Sequence, residues 1–187
     1  MHCWKTINVQ KKYGHERIFL FSMIFVFAVF SCFYISINVF RHGPISDRLF
    51  PLFVFALVLT YPLHKLLHFI PIARHRQRLR FSIVKQFGFI PTLNMKIHEP
   101  IMKSRYIVSL VIPFIVINSL LIIGAMLFPS FRHYFAILLS YHSGLCLIDL
   151  LYVRHLVKTP KKALIEETDK GFEILIPHTK TRTDLSA

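Results

Sequence analysis

Acidic residues are scarce in this chain. Nine Asp and Glu stand against 23 Lys and Arg in 187 residues, a formal charge of +14. An excess of that size raises nucleic acid as a partner. The distribution argues against it, because the basic residues crowd the segments between and after nearly charge-free apolar runs and form no recognisable reading motif. Anionic lipid headgroups are the counter-charge expected for such basic loops. Cysteine is scarce as well. Cys3, Cys32 and Cys146 are too few and too scattered for a disulfide framework, and an odd number leaves one unpaired, so no disulfide is expected. Internal repeats and low-complexity tracts are lacking. Apolar residues are abundant instead: 54% of the chain is hydrophobic and 19 residues are Phe. That composition lies at the upper end for a soluble domain, and the length leaves room for one unit.

Four stretches are long enough to cross a hydrocarbon core, which takes about 20 apolar residues in helix. They run over residues 18–40, 49–73, 106–128 and 133–153. The first contains no charged residue, is too long for a signal-peptide core and has no small-x-small cleavage site after it, so it is expected to be retained. The connections are unequal. Residues 41–48 and 129–132 are short, whereas residues 74–105 carry Arg74, Arg76, Arg78, Arg80, Lys85, Lys96, Lys103 and Arg105 against a single acid, Glu99. Lys5, Lys11, Lys12 and Arg17 precede the first span, and Arg154, Lys158, Lys161 and Lys162 follow the fourth. The positive-inside bias therefore predicts a multi-pass protein of the cell membrane with both termini in the cytoplasm. Cys3 then faces a reducing compartment.

The predicted fold is an all-α membrane protein of four transmembrane helices. A four-span domain covers residues 1–153 and a small cytoplasmic tail covers 154–187. Within the long loop, residues 81–86 and 93–97 alternate apolar and polar around Gly88 and Pro91-Thr92, which predicts a short β-hairpin between the second and third spans. The tail repeats the pattern, with residues 163–166 and 172–176 flanking a turn at Asp169-Lys170-Gly171.

Ionisable residues inside spans are costly and point to function by default. His64 and His68 are four apart, so one face of the second helix presents both imidazoles. His142, Cys146 and Asp149 follow at i, i+4 and i+7 and share a face of the fourth. At 1.5 Å per residue the histidine pair lies roughly 7 to 14 Å above the cytoplasmic end of its helix, and Asp149 roughly 6 Å above its own. The two faces are thus expected to meet in the cytoplasmic half of the bilayer. Two histidines and a carboxylate suffice for a catalytic zinc that keeps its fourth position for water. The competing arrangement is a structural one, in which Lys65 pairs with Asp149 and the histidines hydrogen-bond between helices. On spacing, Cys146 is expected to be a small packing residue. His142, about two turns deeper, is expected to pack or to support a ligand.

Taken together, Pro62-Leu-His-Lys-Leu-Leu-His68, Lys96-Ile-His-Glu-Pro100, His142-Ser-Gly-Leu-Cys-Leu-Ile-Asp149 and the tail around Gly171-Phe172 resemble a family of small bacterial membrane proteins described as putative zincin peptidases. That family is in turn similar to site-2-type intramembrane metalloproteases. The resemblance implies zinc as cofactor, His64, His68 and Asp149 as its ligands, and a membrane protein or peptide as substrate. It also marks a departure. The family pattern is His-Glu-x-x-His, whose glutamate takes a proton from the attacking water. Lys65 occupies that catalytic position, and an ammonium accepts no proton. A unit charge ~4 Å from a cation also costs about 4 kcal/mol at an effective dielectric of 20. Lys65 has three ways out: it loses its proton, it extends to the membrane surface, or it pairs with Asp149 in a site without metal. Glu99 is the only other acid near the cytoplasmic face, and Pro62 is expected to kink the second span near the site.

Two functions compete on this basis. One is a membrane-embedded zinc metallopeptidase-like protein with impaired or no activity, a pseudoenzyme, whose substrate adds as a strand beside the residue 81–97 hairpin. The other is a non-catalytic membrane protein that binds a partner span or peptide. A transporter or channel is disfavoured, because four short spans show no paired broken helices in matching halves.

Overall fold

The computed structural model describes residues 2–8, 12–40, 43–71, 79–86, 90–97, 100–160, 163–168 and 171–176. Arg74, Arg76, Arg78, Gly88, His98, Glu99, Lys161, Lys162, Asp169 and Lys170, all singled out above, lie outside the described residues.

Helix α1 (His15–Phe40) is apolar on every side and presents most of its surface outward, with only Ile18 and Ile37 buried. A helix hydrophobic all round has no polar face to turn to water. Helix α2 (Phe50–Phe69) carries Pro51 in its first turn, where the missing N–H costs nothing. It runs as one element through Pro62. Helix α3 (Lys103–Leu127) likewise runs through Pro113. These three helices are each long and apolar enough to cross a membrane.

The fourth stretch differs from the single straight span expected over residues 133–153. After a 3₁₀ turn at Pro129–Phe131 it forms α4 (Arg132–Leu145) and α5 (Leu147–Val157). The two halves are bent by 44°, so the described residues hold three helices long and apolar enough to cross a membrane, or four if the bent pair is one span. The break falls at Cys146, whose backbone stays right-handed at φ −73° and ψ −10°. The Cys146 N–H still donates to the His142 carbonyl at 3.0 Å, and the Leu150 N–H donates to the Cys146 carbonyl at 2.9 Å. The turn therefore changes direction without abandoning its backbone hydrogen bonds, as a buried apolar setting requires.

Both hairpins expected from the alternating segments are present. Strands β2 (Leu79–Gln86) and β3 (Ile90–Ile97) pair antiparallel between α2 and α3, with Leu79 opposite Ile97. Strands β5 (Leu164–Thr168) and β6 (Gly171–Ile176) also pair antiparallel. Unforeseen was the sheet that the second hairpin joins. Strand β1 (His2–Ile7) lies on one side of it and β4 (Ile101–Met102) on the other, in the order β1-β6-β5-β4. The N-terminal segment is thus a strand as well as a basic leader to the first span.

Ile7, Ile165, Phe172 and Ile174 pack from this sheet onto Tyr106 and Leu110 of α3 and Leu156 of α5. The Phe172 ring lies 5.1 Å from Tyr152 and 6.0 Å from Tyr106. Lys103, counted above as a loop cation, is buried at this junction. Its ammonium donates to the Thr159 carbonyl at 2.6 Å and the Val157 carbonyl at 3.3 Å, satisfying acceptors left over at the end of α5. At the opposite end of α4, Arg132 is buried and donates to Asn38 Oδ1 at 2.8 Å, the Pro129 carbonyl at 3.0 Å and the Gly43 carbonyl at 3.1 Å. Between these ends α1 and α4 touch closely at Gly144. A Cβ there would collide with Val26, and Ser22 Oγ donates to the Gly144 carbonyl at 3.1 Å.

Candidate metal centre

His64 and His68 do share a face of α2, and that face meets both halves of the bent segment. His64 is 4% exposed. Its Nε2 lies 3.0 Å from His68 Nε2 and 3.3 Å from Asp149 Oδ2, and His68 Nε2 lies 3.4 Å from the same oxygen. Three donor atoms therefore form a nearly equilateral triangle. Ligands about 2.0–2.1 Å from a tetrahedral zinc stand about 3.3 Å apart, which is the size of this triangle. Asp149 sits in the first turn of α5, where the helix dipole favours a carboxylate.

The other nitrogen of His64 faces α4. His64 Nδ1 lies 3.2 Å from His142 Nε2, and His142 Nδ1 lies 2.7 Å from Asn118 Oδ1 of α3. Asn118 is oriented by donating its amide to Ser143 Oγ at 3.3 Å. The protons follow from the last acceptor inward. Asn118 Oδ1 can only accept, so His142 Nδ1 carries the proton and leaves its Nε2 with a lone pair. That lone pair accepts from His64 Nδ1–H, which leaves His64 Nε2 with a lone pair in its turn. His68 reaches the same state by a separate route. Its Nδ1 donates to the Ser109 carbonyl at 2.9 Å, while Ser109 Oγ returns a bond of 2.5 Å to the His68 carbonyl.

With the protons so placed, the two imidazoles aim lone pairs at each other and at a carboxylate oxygen. Among the described residues Asp149 Oδ2 is buried with no hydrogen-bond partner. In this proton arrangement the triangle is repulsive unless a positive charge enters it. A partner fixing the far nitrogen of each ligating histidine is also the usual support of a metal site. The donors, their separations and their tautomers fit a zinc ion.

Lys65 does not take part. It is exposed, and among the described residues it makes no hydrogen bond or ion pair. The Lys65–Asp149 pair considered above is not formed, because the Asp149 carboxylate is turned to the two imidazoles. The step of one residue from His64 rotates Lys65 about 100° around the helix, away from the buried face.

Cys146, expected to fill space, lies with its Sγ 3.4 Å from His142 Nε2 and 3.7 Å from His64 Nδ1. His142, expected to pack or to support a ligand, contacts His64 across the ring from Asp149. Ser109 and Asn118 escaped the sequence reading. A lone amide in the middle of the third span was the available signal for Asn118, since polar side chains in lipid must find partners. A serine carries less information, because its hydroxyl can bond back to its own helix.

Residues 57–164, more than half of the chain, match the family described as "Putative zincin peptidase". The match takes in His64, His68, the first hairpin, α3, and the bent segment with His142 and Asp149. No curated protein and no solved structure matches the chain.

Proposed function

The chain belongs to the putative zincin peptidase family, and from that premise we propose that it is a membrane-embedded, zinc-binding, peptidase-like protein whose hydrolytic step lacks its base. His64 Nε2, His68 Nε2 and Asp149 Oδ2 would hold the ion. Bound there, zinc supplies Lewis-acid polarisation of a peptide carbonyl and acidifies water. The observation that carries the reading is the bonding behind the triangle: His142 with Asn118 takes up the far nitrogen of His64, and the Ser109 carbonyl that of His68, a pattern that turns both lone pairs inward.

What the chain's own residues do for catalysis is less complete. Asp149 is committed to the two histidines, and Lys65 in its charged form neither accepts a proton nor faces the site. Charged lysine on an outward face of α2, near the end of that helix, can run its stem along apolar surface and leave the ammonium in the headgroup layer. That position removes both the repulsion from a metal and the catalytic role. Binding of a peptide or a partner span survives such a loss, since it needs surface and backbone partners but no base. Membrane insertion with both ends on the cytoplasmic side is part of the same proposal. It is supported by the basic loops and by the pairing of β1 with β6, which brings the two terminal strands to one end of the bundle.

Metal analysis of the detergent-purified chain tests the reading. About one zinc per chain is expected in the native protein and none in the His64→Ala/His68→Ala variant. A native protein without zinc after purification in its presence overturns the metal centre.

A further inference from the structure

The triangle occupies one side of His64, and a second set of donors occupies the other. His64 Nδ1, His142 Nε2 and Cys146 Sγ lie 3.2, 3.4 and 3.7 Å from one another, close enough to hold one ion together. All three residues are buried, His142 and Cys146 completely. This set contains a thiol in place of the carboxylate, and thiolates select soft ions.

We propose that His64 Nδ1, His142 Nε2 and Cys146 Sγ form a second cation site, specific for a soft monovalent ion such as Cu(I), and that its occupation excludes metal from the His64–His68–Asp149 site. The second site stands on its own donors; only the mutual exclusion rests on the zinc reading above.

Charge argues for the monovalent ion. Cu(I) with one thiolate is neutral overall, whereas a divalent ion with one thiolate leaves a net positive charge in an apolar interior, and an uncompensated buried charge is costly. Binding releases the Cys146 thiol proton to solvent. Tautomers argue for the exclusion. His142 needs no change, because its Nδ1 proton already rests on Asn118 and its Nε2 lone pair already faces the set. His64 alone must change, moving its proton from Nδ1 to Nε2. There the proton meets His68 Nε2 at 3.0 Å and Asp149 Oδ2 at 3.3 Å, both of them acceptors. One neutral imidazole has one lone pair to give, so the position of a single proton decides which side of the ring holds an ion.

The experiment uses the full chain in detergent under anaerobic conditions, with Cu(I) delivered from a competing chelator. In the His68→Ala/Asp149→Ala variant, which disables the first site, about one Cu(I) per chain is expected, and X-ray absorption should give a sulfur ligand. Adding Cys146→Ser should weaken Cu(I) binding at least about 100-fold, whereas Cys32→Ser should leave it unchanged. The Cys146→Ser substitution in the otherwise native chain repeats the measurement without the double variant. Cu(I) added to the zinc-loaded native protein should release zinc one for one. Binding that survives Cys146→Ser, or copper without sulfur, overturns the site. Copper and zinc held together overturn the exclusion alone. Absence of zinc from the native protein sinks the first reading and leaves the copper measurement intact.

Discussion

One imidazole is in contact on both edges: His64 Nε2 lies 3.3 Å from Asp149 Oδ2, and His64 Nδ1 lies 3.2 Å from His142 Nε2. Asp149 comes from α5 and His142 from α4. In a straight helix these two residues stand two turns apart, about 10 Å along the axis. The 44° break at Cys146 lies between them.

Asn118 reaches the proposed metal site through His142 alone, by the bond between its Oδ1 and His142 Nδ1. The Asn118→Leu substitution removes the acceptor of the His142 Nδ1 proton, so that His142 no longer holds His64 in its metal-binding tautomer. Zinc affinity should fall about 10- to 100-fold with the fold intact. Competition with a chromophoric chelator measures it, with circular dichroism as the check on structure. Unchanged affinity would mean that His64 is oriented by other contacts.

Restoring the base is the sharpest test of the proposed catalytic defect. Lys65→Glu recreates the His-Glu-x-x-His pattern on α2. Cleavage of a membrane-embedded peptide should appear in the Lys65→Glu protein and be undetectable in the native one, followed by gel electrophoresis in detergent. Cleavage by the native chain at a comparable rate would show that lysine is no impediment.

Gly144 of α4 packs tightly against Val26 and Ser22 of α1. Valine there must push Val26 aside and disturb the Ser22 bond to the Gly144 carbonyl. Overpacking of this kind costs about 1–3 kcal/mol. A lowered midpoint of thermal unfolding in detergent is the expected outcome for Gly144→Val, with zinc stoichiometry retained below that midpoint.

Lys103 ties the sheet to the end of α5. Lys103→Met keeps most of the stem and deletes the donors to Val157 and Thr159. Leaving the buried Thr159 acceptor without its partner costs about 1–3 kcal/mol. Hydrogen exchange should quicken in β5 and β6 while the amides around His64 keep their protection. Exchange that quickens equally in both regions would show instead that sheet and bundle unfold as one unit.

Local patterns in the chain sufficed for much of this molecule. The three long apolar helices could be read because crossing a bilayer is a matter of length and polarity along the chain. His64 and His68 were paired by helical spacing alone, and both hairpins showed in short-range alternation. Other features depend on residues far apart in sequence, and only the tertiary structure decided them. The chain around Cys146 carries no proline to announce the bend, so α4 and α5 read as one span. Strand β1 finds its partner in β6 from the other end of the chain, which no local alternation reveals. The protons of His64 and His68 are positioned by Asn118 and Ser109 on a third helix. Spacing brings donors to one face of a helix, but the direction of a lone pair is set by whatever lies across the packing interface.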